Sequence, residues 1–488
     1  MSQLEIGGTL DGFRIQRLLY AGAMAHIFEV SYEDGRASPF PMVMKVPKLS
    51  QGDGGENVTS FEVELQMLEV LRGDCVPRYV AAGDLASPTP YLVIEHLQGQ
   101  TLESWMESRA DASITSYLPE LCAVMSSAAQ AVHELHEQNA CHLDLKPANL
   151  FLTTDGRVVL LDFGLSFHGD YPDLLAEEFR TAIGSPAWIS PEQVVGVRGD
   201  PRSDIFALGV ILYEIVTKEF PFGAPESKSG LRNRLWMSAR PPRAIDSSVP
   251  PWLQEIILKC LQAKADDRYS SAAMLAFDLR NPSQVAISHL GEQLVGTTLL
   301  TKLRRFIWSA GVEYAPSPLP KRTIKEVPIV MVALPDRSVV DSVLWGIERI
   351  TSRALGNRPG ARLAVVTVLR SSSVIETDSD ASETALHRQY LSRMQRWAQG
   401  VKTEGHQVSF HVLDSDDVAG ALLRFAKENY VDLIIMGAQP ASRASGRLIA
   451  SVPLRVASEA MCTVTLVREQ LPFEHLGKIT EPLTDKTL

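Results

Sequence analysis

Three patterns of apolar and polar positions follow one another along the chain. Over residues 11–50 and 75–98, short runs such as FRIQRLL, PMVMKVP and PYLVIEHL predict strands. Between them, VTSFEVELQMLEVL (58–71) carries Phe61, Leu65 and Leu68 at i, i+4, i+7 spacing, which predicts a helix. From about 101 to 280 helical periodicity dominates, as in SYLPELCAVMSSAAQAVHELHEQ. Residues 281–326 end in the proline-rich YAPSPLPKRTIKEVP and read as a linker. Beyond it PIVMVAL, ARLAVVTVL, VSFHVL, VDLIIMGA and MCTVTLV are short apolar runs that alternate with helical stretches. That alternation predicts buried strands of a parallel α/β sheet. The longest apolar stretches, such as ALGVILYEIV (207–216), are too short and too interrupted for a transmembrane segment. No fixed-period repeat is present.

Composition narrows the classes. A length of 488 residues allows two or three domains, and 45% apolar with 22% charged residues fits a soluble globular chain. A formal net charge of −11 disfavours non-specific adhesion to nucleic acid or anionic lipid, so no nucleic-acid partner is expected. The five cysteines form no CxxC pair, which suggests neither a disulfide frame nor a zinc site. No basic start leads into an apolar run, and a cytoplasmic location is expected.

The chemistry is concentrated in CHLDLKPANLFL (141–152), which places Asp144, Lys146 and Asn149 within six residues. A second aspartate, Asp162, ends the β-run of VVLLDFGLS. This is a phosphoryl-transfer layout: one carboxylate receives a hydroxyl proton, and the other, with the asparagine, holds magnesium on nucleotide phosphates. On these motifs, together with MVMK, GSPAWISPEQ, SDIFALGV and DDR in that order, residues 11 to about 280 resemble the eukaryotic-type serine/threonine protein kinase family.

The resemblance implies an α+β bilobal kinase fold over residues 1–280, with an N-lobe at about 11–98 and a C-lobe at about 99–280. It implies ATP and Mg2+ as cofactors, and protein serine or threonine hydroxyls as acceptors, those of the chain itself included. The lysine in DLKPAN is what points to Ser/Thr rather than Tyr. By the same resemblance Asp144 is the catalytic base, Lys146 steadies the γ-phosphate, and Asn149 and Asp162 are the metal ligands. Lys45 neutralises the α- and β-phosphates with a glutamate partner. Glu62 and Glu64 both offer one, and Glu64 shares a helical face with Phe61, Leu65 and Leu68. Gly22, Ile27, the gatekeeper Ile94 and the hinge from Glu95 to Leu97 complete the nucleotide site. Glu192 and Arg268 resemble a buried ion pair that ties the activation segment to the C-lobe.

Departures from the family pattern carry their own expectations. LLYAGAMAHIFEV (18–30) keeps only Gly22 of the glycine loop, with Tyr20 and Ala25 at two glycine positions and Ile27 at the valine. Leu143 stands where many members have an arginine that pairs with an activation-segment phosphate. Activity is therefore expected to depend little on phosphorylation at Ser166 or Thr181; the other reading gives the arginine's role to Arg180. Ser185 is expected to bond the catalytic Asp and Lys. A catalytically silent scaffold of the same fold is the alternative, and the complete set of transfer groups favours catalysis.

Residues 327–468 resemble the universal stress protein family, an adenine-nucleotide-binding α/β fold, on IIMGAQPASRASGRLIASVPLRVASEAMCTVTLV. Of that family's nucleotide loop, Gly437 and Ser451 are kept, while Pro440 and Ala450 replace glycines and Pro335 stands at the aspartate position. A proline removes an N–H from a phosphate cradle. An interaction or dimerisation domain is expected here, with a nucleotide sensor as the alternative, followed by a tail at 469–488. RSSSVIETDSDASET (370–384) reads as a solvated loop, and KLRRFIWSAGV (302–312) as a linker segment docking onto a domain rather than onto a membrane surface.

Overall fold

The structure is a computed structural model that describes residues 4–22, 24–48, 56–83, 89–171, 173–175, 184–223, 228–295, 329–335, 341–356, 361–370, 380–403, 406–429, 431–438 and 452–468. The chain divides into two units, Met1–Lys325 and Glu326–Leu488.

The first unit opens with a six-stranded antiparallel sheet in the order β1-β2-β3-β4-β6-β5. Its strands are β1 (Thr9–Leu10), β2 (Phe13–Ala21), β3 (Ala25–Tyr32), β4 (Met42–Pro47), β5 (Tyr79–Gly83) and β6 (Tyr91–Glu95). Strand alternation divides the sheet into two faces. Phe13, Ile15, Phe28, Val30, Met42, Met44, Tyr91 and Val93 form the buried cluster on one of them. Ile27 pairs with Lys45, and Val43 with Ile94, so these four side chains share the opposite face. The helix Glu56–Val70 follows β4, with Phe61, Leu65 and Leu68 buried as their spacing predicts.

After β7 (Gly99–Thr101) the unit is largely helical. The helix Ile114–Glu137 buries Leu121, Met125, Ala128, Val132 and Leu135. The helix Arg202–Thr217 is buried at every position but Glu214, so its apolar residues encircle it instead of forming one stripe. At Gly209 any Cβ would collide with Cys260, which lets the helix Pro251–Cys260 pack directly against it. Short strand pairs carry the loops between these helices: β8 (Ala140–Cys141) with β11 (Phe167–His168), and β9 (Leu150–Thr153) with β10 (Val158–Leu160).

Residues 281–295 pack on this helical part instead of beginning a linker. Gln254 donates to the carbonyls of Leu290, Gly291 and Gln293, and Glu255 accepts from the N–H groups of Ser288 and Gly291. These side-chain bonds are long-range and leave no periodic trace in the sequence. The expected docking segment 302–312 lies outside the described residues.

The second unit is a five-stranded parallel sheet in the order β14-β13-β12-β15-β16. Its strands are β12 (Ile329–Ala333), β13 (Arg362–Leu369), β14 (Gln407–Asp414), β15 (Leu433–Gly437) and β16 (Thr463–Val467). Val330, Val332, Leu363, Val365 and Ile435 form its core with Val343, Ile347 and Leu355 of the helix Asp341–Leu355. The loop expected at 370–384 ends sooner: 371–379 lie outside the described residues, and the helix Asp380–Ala398 takes in the remainder. Leu391, Met394 and Trp397 pack that helix on the core, and this anchoring outweighs the polar composition of its first turn. Among the described residues no helix is long and apolar enough to cross a membrane.

Candidate active site

Lys45 and the helix Glu56–Val70 meet at a salt bridge. The Lys45 ammonium donates to Glu64 Oε1 at 2.8 Å and Oε2 at 2.6 Å, and lies 3.6 Å from Asp162 Oδ1. Of the two candidate glutamates, Glu64 is buried against the sheet and Glu62 is exposed. Burial alone would push the Lys45 pKa down, but the Glu64 and Asp162 carboxylates more than offset it, to about 12. Partial desolvation opposes ionisation of the half-exposed Asp162 as well, yet the charges of Lys45, His142 and Lys146 hold its carboxyl below the usual range. Gly164, two residues on, lies so close to the helix that a Cβ there would collide with the Ser60 hydroxyl.

The second half of the site is built around Asp144. Its Oδ1 accepts from the Ser185 N–H at 2.7 Å, and its Oδ2 accepts from Lys146 Nζ at 3.1 Å. Lys146 Nζ also donates to the Ser185 hydroxyl at 3.3 Å, closing a three-residue ring of contacts. Asn149 Nδ2 donates to the Asp144 carbonyl at 2.9 Å, which commits the amide nitrogen and leaves the amide oxygen to a ligand.

Two residues of this region hold left-handed backbone conformations, Leu143 with φ 63° and Asp162 with φ 64°. Each costs about 1–3 kcal/mol for a residue with a side chain and must be held by its surroundings. For Leu143 the holder is Asp204, at the start of the helix Arg202–Thr217. Its carboxylate accepts from the N–H groups of His142 and Leu143 at 2.9 and 2.8 Å, and His136 Nε2 lies 2.8 Å away. Burial works against an ionised Asp204, but the His136 contact and the backbone donors keep its carboxyl below the usual range. Gln193 Nε2 takes the Leu143 carbonyl at 2.7 Å. The Leu143 side chain is itself buried, so the position serves packing. The sequence reading assigns no role to Asp204 or Gln193. Asp204 was legible only as part of SDIFALGV.

Ser166 is buried, and its hydroxyl donates to the His142 carbonyl at 3.1 Å, a structural use of a side chain read as a phosphorylation candidate. Arg180 and Thr181 lie outside the described residues. Arg268 and Glu192 form a buried bidentate pair at 2.6 and 2.9 Å. In the glycine loop, Gly22 N–H closes the hairpin onto the Ala25 carbonyl at 3.0 Å, and Lys48 Nζ donates to the Gly22 carbonyl at 2.6 Å. The exposed Tyr20 ring lies across Gly22, with Cε1 2.5 Å from where a Cβ would stand, so a larger residue there would push the ring aside. Glu95 and His96 donate their N–H groups to Arg78 and Pro41 at 2.9 and 2.8 Å, which holds the stretch before Leu97 against its neighbours.

Comparison with known proteins finds matches for both units. The sequence model of the protein kinase domain matches residues 14–279, and that of the universal stress protein family matches residues 330–468. The serine/threonine-protein kinase Pkn1 of Myxococcus xanthus is 33% identical over 210 residues, 42% of this chain and 29% of that protein. The serine/threonine-protein kinase PknB of Mycolicibacterium smegmatis is 31% identical over 222 residues, 45% of this chain and 35% of that protein. The tyrosine-protein kinase MasK of Myxococcus xanthus is 29% identical over 295 residues, 58% of this chain and 45% of that protein. The matches thus span less than half the length of these relatives. With more than half of its length matched, the chain belongs to the protein kinase family, and a universal stress protein domain follows its kinase domain.

Proposed function

We propose that the chain transfers the γ-phosphate of ATP to serine or threonine hydroxyls of proteins, itself among them. The observation that carries this reading is the pair of contact sets, Glu64–Lys45–Asp162 and Asn149–Asp144–Lys146–Ser185. Asp144 orients the acceptor hydroxyl and receives its proton. Lys146 steadies the γ-phosphate, and Lys45, kept charged by its two carboxylates, binds the α- and β-phosphates. Ile27 and Ile94 border the adenine from the Lys45 face of the sheet, with the backbone of Glu95 to Leu97 as its hinge.

The metal donors are the Asn149 amide oxygen and the ionised Asp162 carboxylate, hard oxygen ligands that suit Mg2+. A metal bound there would neutralise phosphate charge. The lysine of DLKPAN and the similarity to serine/threonine-protein kinases favour an aliphatic hydroxyl acceptor over a tyrosine. The test is incubation of the full chain with γ-labelled ATP and Mg2+, followed by phosphoamino-acid analysis. Label on serine or threonine, lost with a chelator, is expected; no label, or label on tyrosine alone, overturns the reading.

Residues 1–280, with 281–295 packed on them, are taken as the kinase domain, 296–326 as the connection, 327–468 as the second domain and 469–488 as a tail. The second domain serves interaction or dimerisation instead of tight nucleotide binding. Gly437 has a packing reason of its own, since a Cβ there would stand 2.9 Å from Val343 Cγ1. Pro440, Ala450 and Ser451 lie outside the described residues. Calorimetric titration of the full chain with ATP is expected to find one tight site, and Lys45→Met to remove it. Tight binding that survives in Lys45→Met would make the second domain a nucleotide sensor.

A further inference from the structure

Immediately after Asp162, Phe163 and Gly164, the chain passes under the side chain of Arg198, from the loop that precedes the helix Arg202–Thr217. Arg198 Nη2 donates to the carbonyls of Leu165 at 3.0 Å and Ser166 at 3.2 Å. Its Nε donates to Asp173 Oδ2 at 2.8 Å. The two side chains are 9% and 17% exposed, so the pair is largely shielded from water and salt. A planar guanidinium can meet a carboxylate and two carbonyls at once, which an ammonium cannot do in the same geometry.

These contacts join three stretches of chain. Leu165 and Ser166 belong to the turn that begins at Asp162, where the Ser166 N–H bonds the Phe163 carbonyl at 3.0 Å. Asp173 lies further along the same segment, and Arg198 lies beyond its end. Asp162 is left-handed, so the residues that follow it must be pinned if its carboxylate is to stay beside Lys45. At 143 stands a buried leucine, which offers no charge to the segment.

We infer that Arg198 is a positioning residue for phosphate transfer: with Asp173 it clamps the segment after Gly164 and thereby aims Asp162 at the metal and nucleotide. The anion that Arg198 meets comes from the chain itself, so this ordering needs no added phosphate. The inference rests on the transfer reaction proposed above. It predicts where a loss would appear, because a misdirected Asp162 weakens metal use before it weakens folding.

The experiment compares full-length parent, Arg198→Met, Arg198→Lys and Asp173→Asn, with Asp144→Asn as the inactive baseline. Initial rates are measured against Mg2+ and ATP concentration beside thermal melting. For Arg198→Met, kcat is expected to fall by about tenfold to a hundredfold. The half-saturating Mg2+ concentration is expected to rise by about tenfold. Arg198→Lys should lie between it and the parent, because one of the three bonds survives. A folded Arg198→Met with parental Mg2+ dependence and kcat overturns the inference. Should Arg198→Met not fold, Asp173→Asn carries the test, with the same shifts in smaller measure expected and parental values decisive against it. Amide hydrogen exchange over residues 162–170 gives a readout independent of transfer. Faster exchange in the variants is expected, and parental exchange overturns the clamp. A parent that transfers no phosphate while the variants do exchange faster would sink the proposed reaction and leave the clamp standing.

Discussion

Asp144→Asn is expected to lower phosphate transfer by about 10²–10⁴-fold, the range contributed by a positioned general base. The substitution keeps size and one acceptor oxygen, so the contact with the Ser185 N–H can survive and the fold should melt as the parent does. What it removes is the negative charge that pairs with Lys146 at 3.1 Å and that the proposed reaction uses to receive the hydroxyl proton. Lys45, Glu64 and Asp162 are untouched, and ATP binding should be close to parental. The measurement is the initial rate at saturating ATP and Mg2+, with calorimetric ATP affinity alongside. Equal rates for Asp144→Asn and parent would show that the base has been wrongly assigned.

Arg268→Met should produce the largest loss of stability, about 3–5 kcal/mol, the usual range for breaking a buried pair by removing one partner. All five guanidinium N–H groups of Arg268 are occupied. They reach both Glu192 oxygens and the carbonyls of Arg202, Gln262 and Ala263. With the arginine gone, Glu192 keeps, among the described residues, only the Ser203 hydroxyl as a side-chain donor, at 2.8 Å, in a site it cannot leave for water. Replacing both partners, Glu192→Met with Arg268→Met, is expected to cost less than Arg268→Met alone, because no uncompensated charge then remains. Denaturant unfolding of the three variants decides it. A parental midpoint for Arg268→Met would mean that the pair adds nothing net.

Residues whose function depends on close spacing, or on a strand or helix period, were readable from the chain alone. Asp144, Lys146 and Asn149 fall within six residues, and a loop that short can only bring them together. Glu64 could be preferred over Glu62 because helical periodicity puts it on the buried face, where it meets Lys45 across nineteen positions. The parallel sheet of the second unit was equally legible from its central strands β12 and β13, which are buried at every position and largely apolar.

Tertiary structure alone decided the remainder, because polar side chains that act at long range carry no period. Asp204 reaches the N–H groups of His142 and Leu143 from more than sixty residues away. Arg198 takes carbonyls 32 and 33 residues upstream, and in the sequence it is one arginine in an unremarkable loop. Gln254 and Glu255 draw residues 288–293 onto the helix Pro251–Cys260, in a stretch whose composition reads as a connection. The sequence set the candidate groups in short motifs and marked which faces must leave water, since composition and period encode burial. How those groups are held rests on hydrogen bonds to backbone atoms, which every residue type supplies alike, so only the folded chain selects among them.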